Sequence, residues 1–131
     1  SAPHYIDVVA EVSEFLQQRT RVCLDAGMQR DQIIWDPGYG FGKNDQHNLT
    51  LLANQKSLLP YGFPLLAGLS RKSMIGRLLG RDVQERLAGS LALALMAVER
   101  GASIVRVHDV AQTHDALELW RSMNLVEGNK G

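Results

Sequence analysis

The sequence has little of what would tie the protein to a membrane, a disulfide framework or a metal cluster. Its one cysteine, Cys23, excludes an intrachain disulfide and a Cys/His metal cluster. The most apolar run, residues 87–98, is shorter than the roughly 20 residues that a membrane-spanning helix needs. No signal peptide pattern opens the sequence. These absences predict a soluble cytoplasmic protein that binds no membrane.

Net charge is absent as well. The 131 residues carry 14 basic and 14 acidic side chains. No overall field therefore attracts nucleic acid, and any anion site must be local. Because 45% of the residues are hydrophobic, a chain of this length is expected to form one domain with a buried core.

Helical and strand patterns alternate along the chain. The apolar spacing predicts helices over residues 5–24, 45–56, 73–79, 83–100 and 111–123, and strands over residues 33–35, 64–68 and 103–107. Such alternation implies right-handed βαβ crossovers and a parallel α/β sheet. The unit length favours a (β/α)8 barrel, of which three strands are fewer than half. We therefore expect residues 1–131 to form a single incomplete domain.

Two of the predicted helices carry further expectations. The middle of the helix over 83–100 is apolar almost all round, which predicts that the sheet covers one side and a second subunit another. On the last helix, Leu117, Trp120 and Met123 are expected to face inward, and residues 127–131 to fray.

A cationic turn follows the second strand. Gly68 and Leu69 lead into Ser70-Arg71-Lys72-Ser73, where a helix begins. Backbone N–H groups at a helix N-terminus are unpaired and attract anions. Two cations in a first turn oppose the helix dipole, and such a turn is most often a capped helix start with solvated cations. A functional interpretation is favoured here because polar residues recur after the other two strands.

The other two strands also end in polar residues. Asp36 follows the first strand, and Arg106, His108 and Asp109 follow the third. Because the carboxyl ends of parallel strands meet at one edge of a sheet, these groups are expected to converge with the cationic turn. A carboxylate accepts two parallel N–H bonds from an amidine-like edge. The pattern therefore predicts a site for a molecule with such an edge and an anionic group.

Each of these residues also has a purely structural interpretation. Asp36 before Pro37 is typical of a turn, Lys72 of a solvated cation, Arg106 of an ion pair with Asp109, and His108 of a structural histidine. The remaining histidines have no partners at ligand spacing. The turn Gly38-Tyr39-Gly40-Phe41-Gly42-Lys43 is neither a dinucleotide fingerprint nor a P-loop, so its glycines are expected to let a loop fold close to a ligand, with Phe41 offering a ring face.

Three strings together carry a family resemblance. They are Asp36-Pro37-Gly38-Tyr39-Gly40-Phe41-Gly42-Lys43, Gly68-Leu69-Ser70-Arg71-Lys72-Ser73 and Arg106-Val107-His108-Asp109-Val110. With Glu85-Arg86-Leu87-Ala88-Gly89-Ser90 in support, the chain resembles the C-terminal half of the dihydropteroate synthases, which are (β/α)8 barrels. Tyr39 stands where phenylalanine is frequent, a difference expected to be minor.

The resemblance implies a transferase reaction of folate biosynthesis. The amine of p-aminobenzoate attacks the exocyclic methylene of dihydropterin pyrophosphate, which yields 7,8-dihydropteroate and pyrophosphate. For the pterin, it implies that Asp36 binds the edge, that Gly68 lets the ring approach and that Lys72 contacts the ring. For the aminobenzoate, it implies that Phe41 and Lys72 wall the pocket and that Ser73 binds the carboxylate. For pyrophosphate, it implies that Arg106 and His108 bind this group, with Arg71 lining the site.

The resemblance also implies what lies outside this sequence. The family's Mg²⁺, held through the substrate pyrophosphate, has its protein ligand in the other half of the barrel, so no metal ligand is assigned here. We expect the chain to be inactive alone and to form a homodimer. Two alternatives remain: a pterin-binding methyltransferase domain, which is expected to lack the cationic turn, and a non-catalytic half-barrel that self-associates.

Overall fold

Helices and short parallel strands alternate in the computed structural model, which describes residues 5–69, 72–82 and 85–128 without the side chains of Lys72 and Ser73. The helices are α1 (Val8–Asp25), α2 (Asp45–Ala53), α3 (Lys72–Leu79), α4 (Leu87–Glu99) and α5 (Val110–Gly128), and the strands are β1 (Leu65–Ala67) and β2 (Ala102–Val105). Short 3₁₀ segments at Arg30–Gln32 and Gln55–Tyr61 link them. In these ranges no helix is long and apolar enough to cross a membrane.

The two strands form a parallel pair. Leu65 is opposite Ala102, Leu66 opposite Ile104 and Ala67 opposite Val105, with an irregularity in the register after Leu65. The expected parallel α/β sheet is therefore present in the described residues.

The predicted strand over residues 33–35 is wrong in extent. Only Trp35 pairs with β1: its N–H donates to the carbonyl oxygen of Pro64 at 2.9 Å, and its own carbonyl accepts from the N–H of Leu66 at 2.8 Å. A 3₁₀ turn ends just before this stretch, and Pro37 just after it has no N–H to donate. The pairing is therefore limited to a single bridge, which lies on the side of β1 away from β2 because backbone groups alternate along a strand.

Several predicted helix bounds also differ from the structure. α2 ends at Ala53 because the side chain of Asn54 donates to the carbonyl of Thr50 at 2.8 Å and a 3₁₀ segment follows. α4 begins only at Leu87, after Glu85 closes a turn onto Asp82. α5 continues to Gly128, so the predicted fraying is wrong for residues 127–128, whereas residues 129–131 lie outside the described ranges.

The core forms where the helices cover the sheet. Trp35 is 2% exposed and stacks on Phe63 with 5.1 Å between ring centroids. α1 contributes Val8, Val12 and Leu16 to this core. The indole N–H of Trp35 donates to the hydroxyl of Thr20 at 2.7 Å, so that the buried polar group is paired inside the core.

Helix α4 packs against β2, α3 and α5, and part of its surface stays exposed in the described residues. Its buried residues are Ser90, Leu93, Ala94 and Ala97. Gly89 lies against Ile75 of α3, where a Cβ would overlap that side chain. Leu87 and Met96 are exposed, so the expected second cover is not provided by this chain. On α5, Leu117 and Trp120 are half-buried as expected, but Met123 is 60% exposed, which corrects its predicted inward position.

An ion pair fixes α3, the helix that begins at the cationic turn. The guanidinium of Arg77 binds the carboxylate of Asp45 in α2 through two hydrogen bonds of 2.7 and 2.8 Å. This bidentate contact holds the pKa of Asp45 below its usual range. The last turn of α3 is thereby held beside the first residue of α2.

Replacing Thr20 by valine tests the buried bond to Trp35. The shape is nearly conserved, but the indole N–H loses its acceptor, so the free energy of unfolding should fall by about 1–3 kcal/mol. Urea denaturation followed by tryptophan fluorescence measures it. Thr50→Val is the matched control, because the Thr50 hydroxyl accepts only a 3.5 Å bond from Gln46 at an exposed position. Equal losses in the two variants would contradict this role of Thr20.

Candidate functional site

Asp36 and Arg106 lie together at the edge where the strands end. Oδ1 of Asp36 accepts the backbone N–H of Gly38 at 2.9 Å, which closes the turn around Pro37. Oδ2 lies 3.6 Å from Nη1 of Arg106, the residue after β2. Asp36 thus closes the turn and faces the rim, the edge of the sheet at which the strands end. Arg106 pairs with Asp36 rather than with Asp109.

Arg106 is placed by the sheet itself. Its N–H donates to the carbonyl of Ala67 at 3.0 Å, one step beyond the last pair of strand residues. Its guanidinium then lies directly over Gly68, where a Cβ would overlap it. Glycine at position 68 thus leaves room for a flat group to lie against the backbone.

His108 does not share this strand geometry. β2 ends at Val105, so the alternation of side chains along the strand does not extend to His108. The imidazole of His108 is exposed, two residues after Arg106. The structure thus brings His108 to the same end of the sheet without assigning it a contact.

The cationic turn is only partly described. Ser70 and Arg71 lie outside the described residues, as do the side chains of Lys72 and Ser73. The backbone places Lys72 and Ser73 in the first turn of α3, five and six residues after Ala67 at the end of β1. Their predicted roles therefore stay predictions.

The glycine loop is held in shape by Lys43. Gly38, Gly40 and Gly42 all have positive φ, between 62° and 89°, a region that other residues rarely adopt. The ammonium of Lys43 donates to the carbonyls of Gly38 at 2.8 Å and Phe41 at 3.1 Å. Phe41 is 63% exposed at the tip of this loop.

Burial lowers the pKa of Lys43, while the nearby carboxylate of Asp36 opposes that shift. The ammonium also lies 5.7 Å from the ring centroid of Tyr5. From the sequence, Lys43 had no role beyond its place in the glycine-rich turn. Its position at the end of a run with alternating glycines was the signal that it closes the loop.

A buried hydrogen-bond chain connects the glycine loop to α4. Tyr39 is 1% exposed and donates its hydroxyl to the side-chain oxygen of Gln55 at 2.8 Å. The amide nitrogen of Gln55 donates to the carbonyls of Ala97 at 3.0 Å and Arg100 at 3.1 Å. Burial raises the pKa of the Tyr39 phenol, Asp36 raises it further and Arg100 opposes them. The hydroxyl is therefore a structural donor.

The hydroxyl of Tyr39 makes a buried contact that the frequent phenylalanine could not make. Gln55 is fully buried, so its oxygen depends on the Tyr39 hydroxyl. Gln55 was missed by the sequence analysis because a lone polar residue after a helix gives no sign of burial.

A cavity of about 390 Å³ opens beside Asp36. It is lined by Tyr5, Glu11, Val12, Phe15, Leu16, Asp36, Pro37, Gly38, Phe41 and Lys43. Aromatic rings, the ammonium of Lys43 and a second carboxylate, that of Glu11, thus line the cavity together with Asp36. Across the described ranges, no group of three or more His, Cys, Asp or Glu side chains is arranged to hold a metal ion.

The fold and the site define an α/β protein in which parallel strands present a carboxylate and a cation at one rim, consistent with part of a TIM barrel. Residues 1–108 match the family described as pterin binding enzymes. The chain belongs to that family.

Curated relatives confirm the resemblance to dihydropteroate synthases. The chain is 53% identical over 120 residues to the dihydropteroate synthase of Haemophilus influenzae, which covers 92% of this chain and 44% of that protein. It is 45% identical over 129 residues to that of Escherichia coli strain K12, covering 98% of this chain and 46% of that protein. The chain therefore spans less than half the length of these relatives.

Solved structures agree. The Xanthomonas albilineans dihydropteroate synthase in complex with 7,8-dihydropteroate superposes with a TM-score of 0.91 at 50% identity, over 95% of this chain and 48% of that one. The Stenotrophomonas maltophilia enzyme superposes with a TM-score of 0.92 at 53% identity, over 95% and 47%. The chain thus resembles these enzymes in sequence as well as in fold.

Replacing Tyr39 by phenylalanine tests the buried chain. The oxygen of Gln55 loses its donor, so the free energy of unfolding should fall by about 1–3 kcal/mol, measured by urea denaturation. Tyr61→Phe provides the comparison, since the Tyr61 hydroxyl accepts only exposed bonds from Ser13 and Gln17 and water can replace it. If Tyr39→Phe lowers the free energy of unfolding no more than Tyr61→Phe does, the hydrogen bonds of Tyr39 and Gln55 do not hold the loop.

Proposed function

We propose that this rim is the substrate site of a dihydropteroate synthase. The observation that supports the proposal most is the placement of a carboxylate after Trp35 and a guanidinium after β2 at one edge, over a glycine. This arrangement fits a ligand with a flat amidine-like edge and an anionic group. Relatives that cover nearly the whole chain are dihydropteroate synthases.

The proposed reaction forms one bond and breaks one. The amine nitrogen of p-aminobenzoate bonds to the exocyclic methylene carbon of dihydropterin pyrophosphate, the carbon–oxygen bond to pyrophosphate breaks, and the amine loses a proton. Charge develops on the departing pyrophosphate, so the required catalysis is positioning and electrostatic stabilisation. No side-chain nucleophile is needed.

The residues divide between the two ends of the pterin. Asp36 accepts the N–H groups of the pterin edge, while Gly68 allows the ring to lie against the backbone. Arg106 and His108 stabilise the departing pyrophosphate, and the family motif assigns Arg71 to the lining of the same site. Lys72 donates to the acceptor atoms of the ring. These assignments rest on the matched motifs and on the geometry of Asp36, Gly68 and Arg106.

The glycine loop and the first turn of α3 form the proposed pocket for p-aminobenzoate. Phe41, exposed at the tip of the glycine loop, walls this pocket together with Lys72. Ser73, in the first turn of α3, binds the carboxylate, where unpaired N–H groups favour an anion. A related Xanthomonas albilineans structure contains 4-aminobenzoic acid, which supports this substrate class.

Magnesium enters the proposal only with the substrate. We assign no protein ligand for Mg²⁺ among the described residues, in which no group of three or more His, Cys, Asp or Glu side chains is arranged to hold one. An Mg²⁺ ion held by pyrophosphate would arrive with dihydropterin pyrophosphate, and no step here depends on it.

The relatives favour the synthase over the methyltransferase alternative. The cationic turn and the Arg106–His108 strand end are what a pyrophosphate site needs. Because the chain spans under half of the curated relatives it matches, ligand binding is a more direct test of this rim than turnover.

Asp36→Asn tests the pterin edge. Asparagine keeps the shape but loses the charge and one acceptor, so the affinity of the chain for 6-hydroxymethyl-7,8-dihydropterin should fall roughly ten- to hundredfold, as for a hydrogen bond to a charged group. Isothermal titration calorimetry measures the dissociation constant. Asp25→Asn, at the exposed end of α1, is the control and should leave it unchanged. Unchanged affinity in Asp36→Asn would reject the site.

We also propose that the chain forms a homodimer through α4 and its neighbours. Met96 of α4 is 40% exposed, and Leu119, Met123 and Val126 form an exposed apolar stripe on α5. Residues spaced by three and four positions lie on one side of a helix. An apolar face of this kind needs a cover.

Met96→Glu tests this interface. Sedimentation velocity should show a dimer for the unmodified chain and mainly monomer for the variant, because a charge would be buried in the interface. Met28→Glu is the matched control: Met28 is 41% exposed but lies outside α4 and α5, and its variant should remain dimeric. A monomer at every concentration of the unmodified chain would contradict the proposal.

A further inference from the structure

We infer that Arg106 determines specificity for phosphorylated pterins by competing with the pterin for Asp36. The inference rests on the proposed function and adds a role for the Asp36–Arg106 ion pair. In the arrangement seen here, the guanidinium of Arg106 takes the two contacts that the pterin is proposed to take: the carboxylate of Asp36 and the surface of Gly68.

The atoms leave little room for sharing. Oδ1 of Asp36 already accepts the N–H of Gly38, so Oδ2 is the oxygen that faces the rim. Nη1 of Arg106 lies 3.6 Å from Oδ2, and the rest of the guanidinium covers Gly68, where even a Cβ would overlap it. A ring bound against Gly68 would occupy the same space.

The two competitors resemble each other chemically. A guanidinium and the amidine-like edge of a pterin both present parallel N–H groups to a carboxylate. Arg106 therefore occupies the place proposed for the pterin edge beside Oδ2 of Asp36, through one ion-pair contact of 3.6 Å. Binding of the pterin requires Arg106 to leave Asp36.

The cost of that exchange depends on the ligand. A pterin that carries pyrophosphate gives Arg106 a new anionic partner as it leaves, so the broken pair is replaced. A pterin without phosphate breaks the pair and offers nothing in return. Arg106 thus penalises the unphosphorylated pterin while it rewards the phosphorylated one.

The pair is loose enough to exchange. At 3.6 Å its closest atoms are beyond ordinary hydrogen-bond distance. The side chain of Arg106 is 54% exposed and that of Asp36 39%. Exposed ion pairs contribute little, so the penalty corresponds to about a two- to fivefold change in affinity, and salt should reduce it.

Arg106→Met tests the competition. Calorimetry with 6-hydroxymethyl-7,8-dihydropterin should show about two- to fivefold tighter binding to the variant than to the unmodified chain. Its pyrophosphate ester should bind more weakly to the variant. Raising the salt concentration should tighten binding of the unphosphorylated pterin to the unmodified chain but not to the variant. Arg121→Met, on the exposed surface of α5, should behave as the unmodified chain.

Arg106→Lys separates competition from loss of folding. Lysine keeps the charge but lacks the planar fork, so its variant should bind the unphosphorylated pterin with an affinity between the other two. If both variants bind it no more tightly than the unmodified chain, the competition is overturned while the pterin site stands. If the unmodified chain binds no pterin at all, the competition and the proposed function both fail.

Discussion

The structure depends on the parallel backbone pairing on both sides of β1. Trp35 bonds to one side of this strand and β2 to the other. Because parallel strands end at the same edge, the residues that follow them, Asp36 and Arg106, are carried to a common rim. The ion pair between them is the visible result of that pairing, and the proposed chemistry needs nothing more from the sheet than this convergence.

Two sets of hydrogen bonds hold the glycine loop beside the rim. Tyr39 and Gln55 connect the glycine loop to the carbonyls at the end of α4, the helix that leads directly into β2. Lys43 fixes the same loop through two of its carbonyls. The loop after Trp35 and the strand that carries Arg106 are therefore parts of one packed unit, which is how a site built from distant residues keeps its geometry.

Patterns in the sequence predicted the larger features. The parallel α/β sheet, the helix spacing and the meeting of Asp36 with Arg106 follow from periodicity and from polar residues at strand ends. Details that depend on competing contacts could not be predicted. The strand expected at residues 33–35 shrank to a bridge at Trp35 because turns close on both sides of it. Gln55 and Tyr39 look unremarkable in sequence, since only the fold shows that both are buried.

A crystal structure of the chain with 6-hydroxymethyl-7,8-dihydropterin pyrophosphate tests the central claim most directly. The account predicts the ring against Gly68 with its edge on Asp36, and the guanidinium of Arg106 turned from that carboxylate towards the pyrophosphate. A pterin bound elsewhere, or bound at this rim with Asp36 and Arg106 still paired, would contradict it.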